Sequence, residues 1–116
     1  MISNDLLRGT LKTIVLNLLS ENNRMYGYEI TREVEKISDG KIQLSWGALY
    51  PTLHKLESEG FIIAEDFNIG KRVRKYYRLT PEGEKKSEDK VEEFKEFVRI
   101  MGRLLKPDPG FNLNYV

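Results

Sequence analysis

Residues 61–80, FIIAEDFNIGKRVRKYYRLT, constrain the fold most, because two runs of β-branched and aromatic residues flank Gly70-Lys71-Arg72 and so form an antiparallel hairpin. A hairpin alone is marginal in water, so one of its faces must rest on something else. Phe61, Ile63, Tyr77 and Leu79 are the residues expected to pack onto helices. The returning strand is also cationic: residues 71–78 hold five basic side chains in eight and no acid. The chain as a whole carries a net charge of only +1, and residues 82–96 hold seven acids against four lysines. A nearly neutral protein can hold phosphates through a local patch of this kind.

The rest of the chain reads as helix. Leu7, Leu11, Ile14, Val15, Leu18 and Leu19 recur at three and four, marking a helix over about residues 5–20. Tyr26, Ile30, Val34 and Ile37 share a face of a second, closed by Ser38-Asp39-Gly40. Ser45 is placed to cap a third, with Leu49, Leu53 and Leu56 on its inner side and Gly60 just past its end. Its opposite side presents Gly47, Pro51, His54, Lys55 and Ser58, with Tyr50 at the boundary, a low profile with a few donors. Pro51 lacks an N–H and crowds the Gly47 carbonyl. Either the helix effectively starts near Tyr50, or it starts at Ser45 with one bond missing.

Thr80-Pro81-Glu82 opens a final helix, with a cap, a proline at the first position and acids in the early turns. Along it Val91, Phe94, Val98, Met101 and Leu105 alternate steps of three and four, and Phe97 and Leu104 widen the stripe. The stripe must be buried either on its own domain, where the first helix and the leucine side of the third already compete for the core, or against a partner chain. The stripe, with Leu7 and Leu11, is therefore expected to be a dimer interface. Pro107, Pro109 and Gly110 end the helix, and 107–116 reads as a loose tail.

A chain of 116 residues supports one modest domain. The absence of cysteine and a single histidine argue against disulfides, thiolate chemistry and metal sites, so no cofactor is expected. No apolar run approaches the roughly 20 residues that cross a bilayer, and MISNDLLRGT lacks a signal peptide's order, so a cytoplasmic protein without membrane contact is expected. The acids are scattered along solvated helices rather than converging with a nucleophile or base, which argues against an enzyme.

Two short helices, a turn and a basic-tipped hairpin form the plan in which one helix enters the major groove and the hairpin reaches the adjacent backbone. YGYEI (26–30), GALYPTLHKLESEGFI (47–62) and GKRVRKYYRLTPEG (70–83) resemble, in order and separation, the signature segments of the PadR family of transcriptional regulators. The resemblance runs from about Leu7 to the end of the last helix. It implies a mainly α, α+β fold: a winged helix-turn-helix over 1–80 and a C-terminal dimerisation helix over 81–106, as in the compact branch of the family. It further implies a homodimeric regulator, usually a repressor, that binds double-stranded operator DNA. Some members are released by phenolic acids or hydrophobic cationic drugs, which points to an apolar or aromatic effector. In compact members that stack flat drugs, the tryptophan lies on the last helix; here the only one, Trp46, does not, so that pocket does not carry over.

The residues expected at DNA are Ser45, Tyr50, Pro51, Thr52, His54 and Lys55 on the third helix, and Lys71, Arg72 and Arg74 on the hairpin. Lys75 and Arg78 are alternatively partners for nearby acids. Of Tyr76 and Tyr77, which point to opposite faces, one belongs to the core. Trp46 is read as covering the core edge, with DNA or ligand contact as the alternative. Phe94, Phe97 and Met101 would line an effector cavity between subunits. The competing reading is a winged-helix module that docks a protein partner without specific DNA binding. The cationic hairpin tip argues against it.

Overall fold

A computed structural model describes residues 2–105; the expected tail, 107–116, lies outside the described residues. The first apolar stripe forms two helices rather than one, α1 (Asn4–Arg8) and α2 (Leu11–Glu21). The break has a local cause. The Thr10 backbone N–H and hydroxyl both donate to the Leu7 carbonyl at 2.8 Å, closing α1 before the regular ladder resumes at Ile14.

After α2 the chain makes a two-residue strand, β1 (Met25–Tyr26), and enters α3 (Gly27–Ile37). The Glu29 carboxylate accepts from the Tyr26 backbone N–H at 3.1 Å, satisfying a donor at the start of α3. Ile30 and Val34 are buried, whereas Ile37 is 67% exposed and leaves the expected apolar face at the last turn. Asp39 and Gly40, both at positive φ, then reverse the chain.

Ser45 caps α4 (Trp46–Ser58), its hydroxyl accepting from the Ala48 N–H at 3.2 Å. The helix therefore starts beside Ser45 and keeps Pro51 inside it, at the cost of one backbone bond. Gly60 at φ +83° ends it in a Schellman turn, with Phe61 N–H donating to Leu56 and Gly60 N–H to Glu57.

Strands β2 (Ile62–Ile69) and β3 (Arg72–Leu79) pair antiparallel from Ile62 opposite Leu79 to Ile69 opposite Arg72. The turn is thus only Gly70-Lys71, with Gly70 at φ +63° as the first central residue, as a two-residue turn of the II′ kind requires. β1 adds to the far side of β3, giving a three-stranded sheet in the order β1-β3-β2. In this register Ile62, Ala64, Tyr77 and Leu79 face the helices, so Ile62, at 2% exposure, is the core residue and the expected Ile63, at 38%, is not. Tyr77 is the inward tyrosine, at 4% exposure.

α5 (Pro81–Leu104) opens at Thr80, whose hydroxyl accepts from Gly83 N–H at 3.0 Å and donates to the Gly60 carbonyl at 2.7 Å. One side chain thus ties the start of α5 to the end of α4. The core beneath these elements joins Val15, Leu16 and Leu19 of α2 to Ile30, Leu49, Leu53, Leu56, Ile62 and Tyr77. α5 packs on α2, and Phe94, Phe97, Ile100 and Leu104 along it stay exposed. The fold is mainly helical with a small antiparallel sheet, as the pattern implied.

Candidate nucleic-acid interface

α4 is held by its leucines: Leu49, Leu53 and Leu56 are fully buried, which fixes the rotation of the helix and turns Gly47, Tyr50, Pro51, His54, Lys55 and Ser58 to solvent. Two of the expected readers are already engaged. The Ser45 hydroxyl is the helix cap, and Thr52 is half-buried with its hydroxyl donating to the Ala48 carbonyl at 3.3 Å. Ser58 likewise donates to the Lys55 carbonyl, at 2.8 Å. His54 and Lys55 remain as the polar ends of this face.

The hairpin brings a second, cationic surface beside α4. Lys71 in the turn and Arg72 at the start of β3 are exposed, and among the described residues neither takes part in an ion pair. Arg78 instead donates from Nε to Glu65 across the sheet at 2.6 Å. Arg74 is half-buried, its guanidinium 4.1 Å from the Tyr26 ring centre; the Tyr76 phenol, then Tyr26, raise its pKa above the already high ordinary value. It is therefore a charge set in an aromatic surround rather than a free arm at the tip. Arg24, which the pattern did not single out, lies 4.0 Å above Phe67 on the same outer face of the sheet. Its placement depends on β1, and two residues are too few to show alternation.

Between α3, α4 and β3 lies an open cleft of about 680 Å³, lined in part by Tyr26, Tyr28, Trp46, Tyr50, Arg74 and Lys75. The cleft is the geometric link between the two surfaces, since α4 supplies one wall and β3 the other. Trp46 is 53% exposed, so it does not close the core, although its ring rests on α3 at Gly27, where a Cβ would collide with it. Tyr77, at the floor of the cleft, has its phenol pushed up, first by burial and then by the charge of Glu57.

On the other side of the molecule α1 and α2 meet α5 along an apolar groove of about 830 Å³. Leu6, Leu7, Ile14, Val91, Phe94 and Phe97 are among its lining residues; Met101, expected with Phe94 and Phe97, is not. Leu7 and Leu11 are 6% and 7% exposed in the single chain, whereas Leu6 and Ile2, which also line the groove, are 69% and 38% exposed. Val91, Val98 and Met101 are half-buried on α5, while Phe94, Phe97, Ile100, Leu104 and Leu105 are exposed. Among the described residues no group of three or more His, Asp or Glu is arranged to hold a metal ion, and no helix is long and apolar enough to cross a membrane.

Comparison with known proteins places these features in a common frame. The profile of the "Transcriptional regulator PadR-like family" matches residues 15–89. Over 103 residues, which cover 87% of this chain and 93% of the relative, the chain is 35% identical to an uncharacterised protein X of Lysinibacillus sphaericus. Among solved structures it is similar to a transcriptional regulator from Clostridium thermocellum, with a TM-score of 0.82, 34% identity and coverage of 91% of this chain and all of the other (100%). It is also similar to a PadR family transcriptional regulator from Eggerthella lenta, with a TM-score of 0.74, 34% identity and coverage of 90% and 88%.

Proposed function

The chain belongs to the PadR-like family of transcriptional regulators, a family of regulators rather than enzymes, and from that premise we propose that it is a repressor that binds an inverted-repeat operator as a homodimer. The observation that carries this reading is the shared cleft: it sets the exposed side of α4 next to the cationic strand β3. α4 enters the major groove, where His54, Tyr50, Pro51 and Lys55 meet base edges or the flanking phosphates. Ser45 and Thr52 serve this face by shaping α4, through the hydrogen bonds their hydroxyls already make. Lys71 and Arg72 hold phosphates beside the groove, and Arg74 supports them from the wing's aromatic face.

In this division residues 1–80 form the DNA-binding domain and α5, in the span 81–106, the dimerisation helix. The stripe of Val91, Phe94, Phe97, Val98, Met101 and Leu105 meets a second copy, together with the groove lined by Leu6 and Leu7, behind which Leu11 is buried. An effector, if apolar or aromatic, fits the space beside Phe94 and Phe97, whose walls are hydrocarbon. The protein works where its operator is, in the cytoplasm. Selection from a pool of random duplexes tests the reading. The enriched sites are expected to be inverted repeats whose half-sites lie about one helical turn, or a small multiple of it, apart. Failure to enrich any sequence would favour a winged-helix module that docks a protein.

A further inference from the structure

Trp46, Tyr50 and His54 stand at i, i+4 and i+8 on α4 and touch in sequence. Ring centres are 5.3 Å apart between Trp46 and Tyr50 and 6.2 Å between Tyr50 and His54, the second pair stacked at 22°. Trp46 and Tyr50 are 53% and 47% exposed, so this ladder contributes little to the core. Nor is it free to fold inward. The Trp46 ring is seated on Gly27, the first residue of α3, at a point where any side chain would strike it, and this contact holds the indole at the surface.

The chemistry of the surrounding face narrows what such a ladder can do. Gly47 and Pro51 bring no polar side chain, and the hydroxyls of Ser45, Thr52 and Ser58 each already make one hydrogen bond to the helix backbone. At its first turns, around Trp46 and Tyr50, the surface that α4 offers a duplex is therefore largely aromatic, and the polar side chains His54 and Lys55 follow toward its far end. In the major groove one base feature is apolar, the C5-methyl group of thymine. The ladder spans about 12 Å along the helix axis, close to the rise of roughly three to four base pairs. Arg74 and Lys75, across the same cleft, supply the positive charge that keeps a duplex against it.

We infer that Trp46 and Tyr50 read thymine methyl groups, making the aromatic ladder a sequence-specificity element of α4. The inference rests on the DNA-binding reading above and goes beyond it by naming the chemical group recognised. The test places the substitution in the DNA, so the wild-type protein suffices for its first arm. Each thymine of a selected half-site is replaced in turn by deoxyuridine, which lacks only the methyl group. At one position or more, wild-type affinity should fall about fourfold, the effect of losing one buried methyl-sized contact. In a Trp46→Ala, Tyr50→Ala variant, or in Trp46→Gln and Tyr50→Gln if truncation unfolds the chain, the same replacement should have no effect. Specific binding that tolerates every uridine within about twofold, or a uridine effect unchanged in the variants, overturns the inference and leaves DNA recognition intact. If no selected duplex outcompetes a scrambled one, it is the DNA-binding reading that fails, and the inference with it.

Discussion

Gly83 has no room for a side chain, because a Cβ there would land on the Phe61 carbonyl, and that obstacle is backbone rather than the end of a flexible chain. Gly83→Ala should cost about 1–3 kcal/mol, since the start of α5 must move off the end of α4; urea unfolding checks this, and an unchanged midpoint would contradict it. Tyr77 gives a pH dependence with a definite sign. Its phenol is raised by burial, so the unfolded chain loses that proton first, near the ordinary tyrosine value of about 10. Stability is complete below that value and falls as pH rises through it toward the folded value. Tyr77→Phe should flatten the alkaline decline in the urea midpoint above about pH 10, while an identical decline in both proteins would assign it to other groups.

At the level of elements, what could be read in advance was whatever a few neighbouring residues decide. Ser45, Gly60 and Thr80-Pro81 marked α4 and α5 because a cap is a local hydrogen bond. The apolar period of α2 is equally plain, whereas that of α3 reaches only Ile30 and Val34, because Tyr26 belongs to β1 and Ile37 is exposed. The break between α1 and α2 is not plain, since it depends on a Thr10 hydroxyl choosing the Leu7 carbonyl over solvent. β1 was hidden for another reason: two residues acquire strand geometry only by pairing with β3. The hairpin's inward face differs from the expected one at Ile63, because the register counts from Ile62, opposite Leu79. For the candidate site, the residue types and the two elements are legible, whereas the Thr52 hydroxyl's choice of the Ala48 carbonyl is a local bond that helix periodicity does not show, and the seating of Trp46 on Gly27 is a tertiary fact. The two elements should also fail differently. Lys71→Ala and Arg72→Ala should weaken binding to every duplex alike and lower the salt slope by about one unit each. His54→Ala should change preference at one position per half-site by about 1–3 kcal/mol with little change in slope. Salt-dependent titrations on matched and single-mismatch duplexes separate these outcomes, and a uniform loss from His54→Ala would reassign it to a phosphate.

At the scale of the whole molecule, the far half of α5 carries apolar surface that its own domain leaves exposed. Phe94 and Phe97 are 38% and 52% exposed, with ring centres 6.1 Å apart beside a groove bordered by α1 and α2. If a second copy covers them, Phe94→Asp with Phe97→Asp should yield a folded monomer, because neither ring supports the core. Sedimentation of the wild type and the double variant checks this, and a wild-type monomer at micromolar concentrations would contradict it. Two copies joined in this way would carry two α4 helices and two wings, which is what makes a symmetric DNA site necessary. The most direct test of sequence-specific recognition is a titration of the wild-type protein against a selected inverted repeat and a scrambled duplex of the same composition, at physiological salt. Preference for the selected duplex by a factor on the order of a thousand or more is the expected result, and equal binding to both would contradict it.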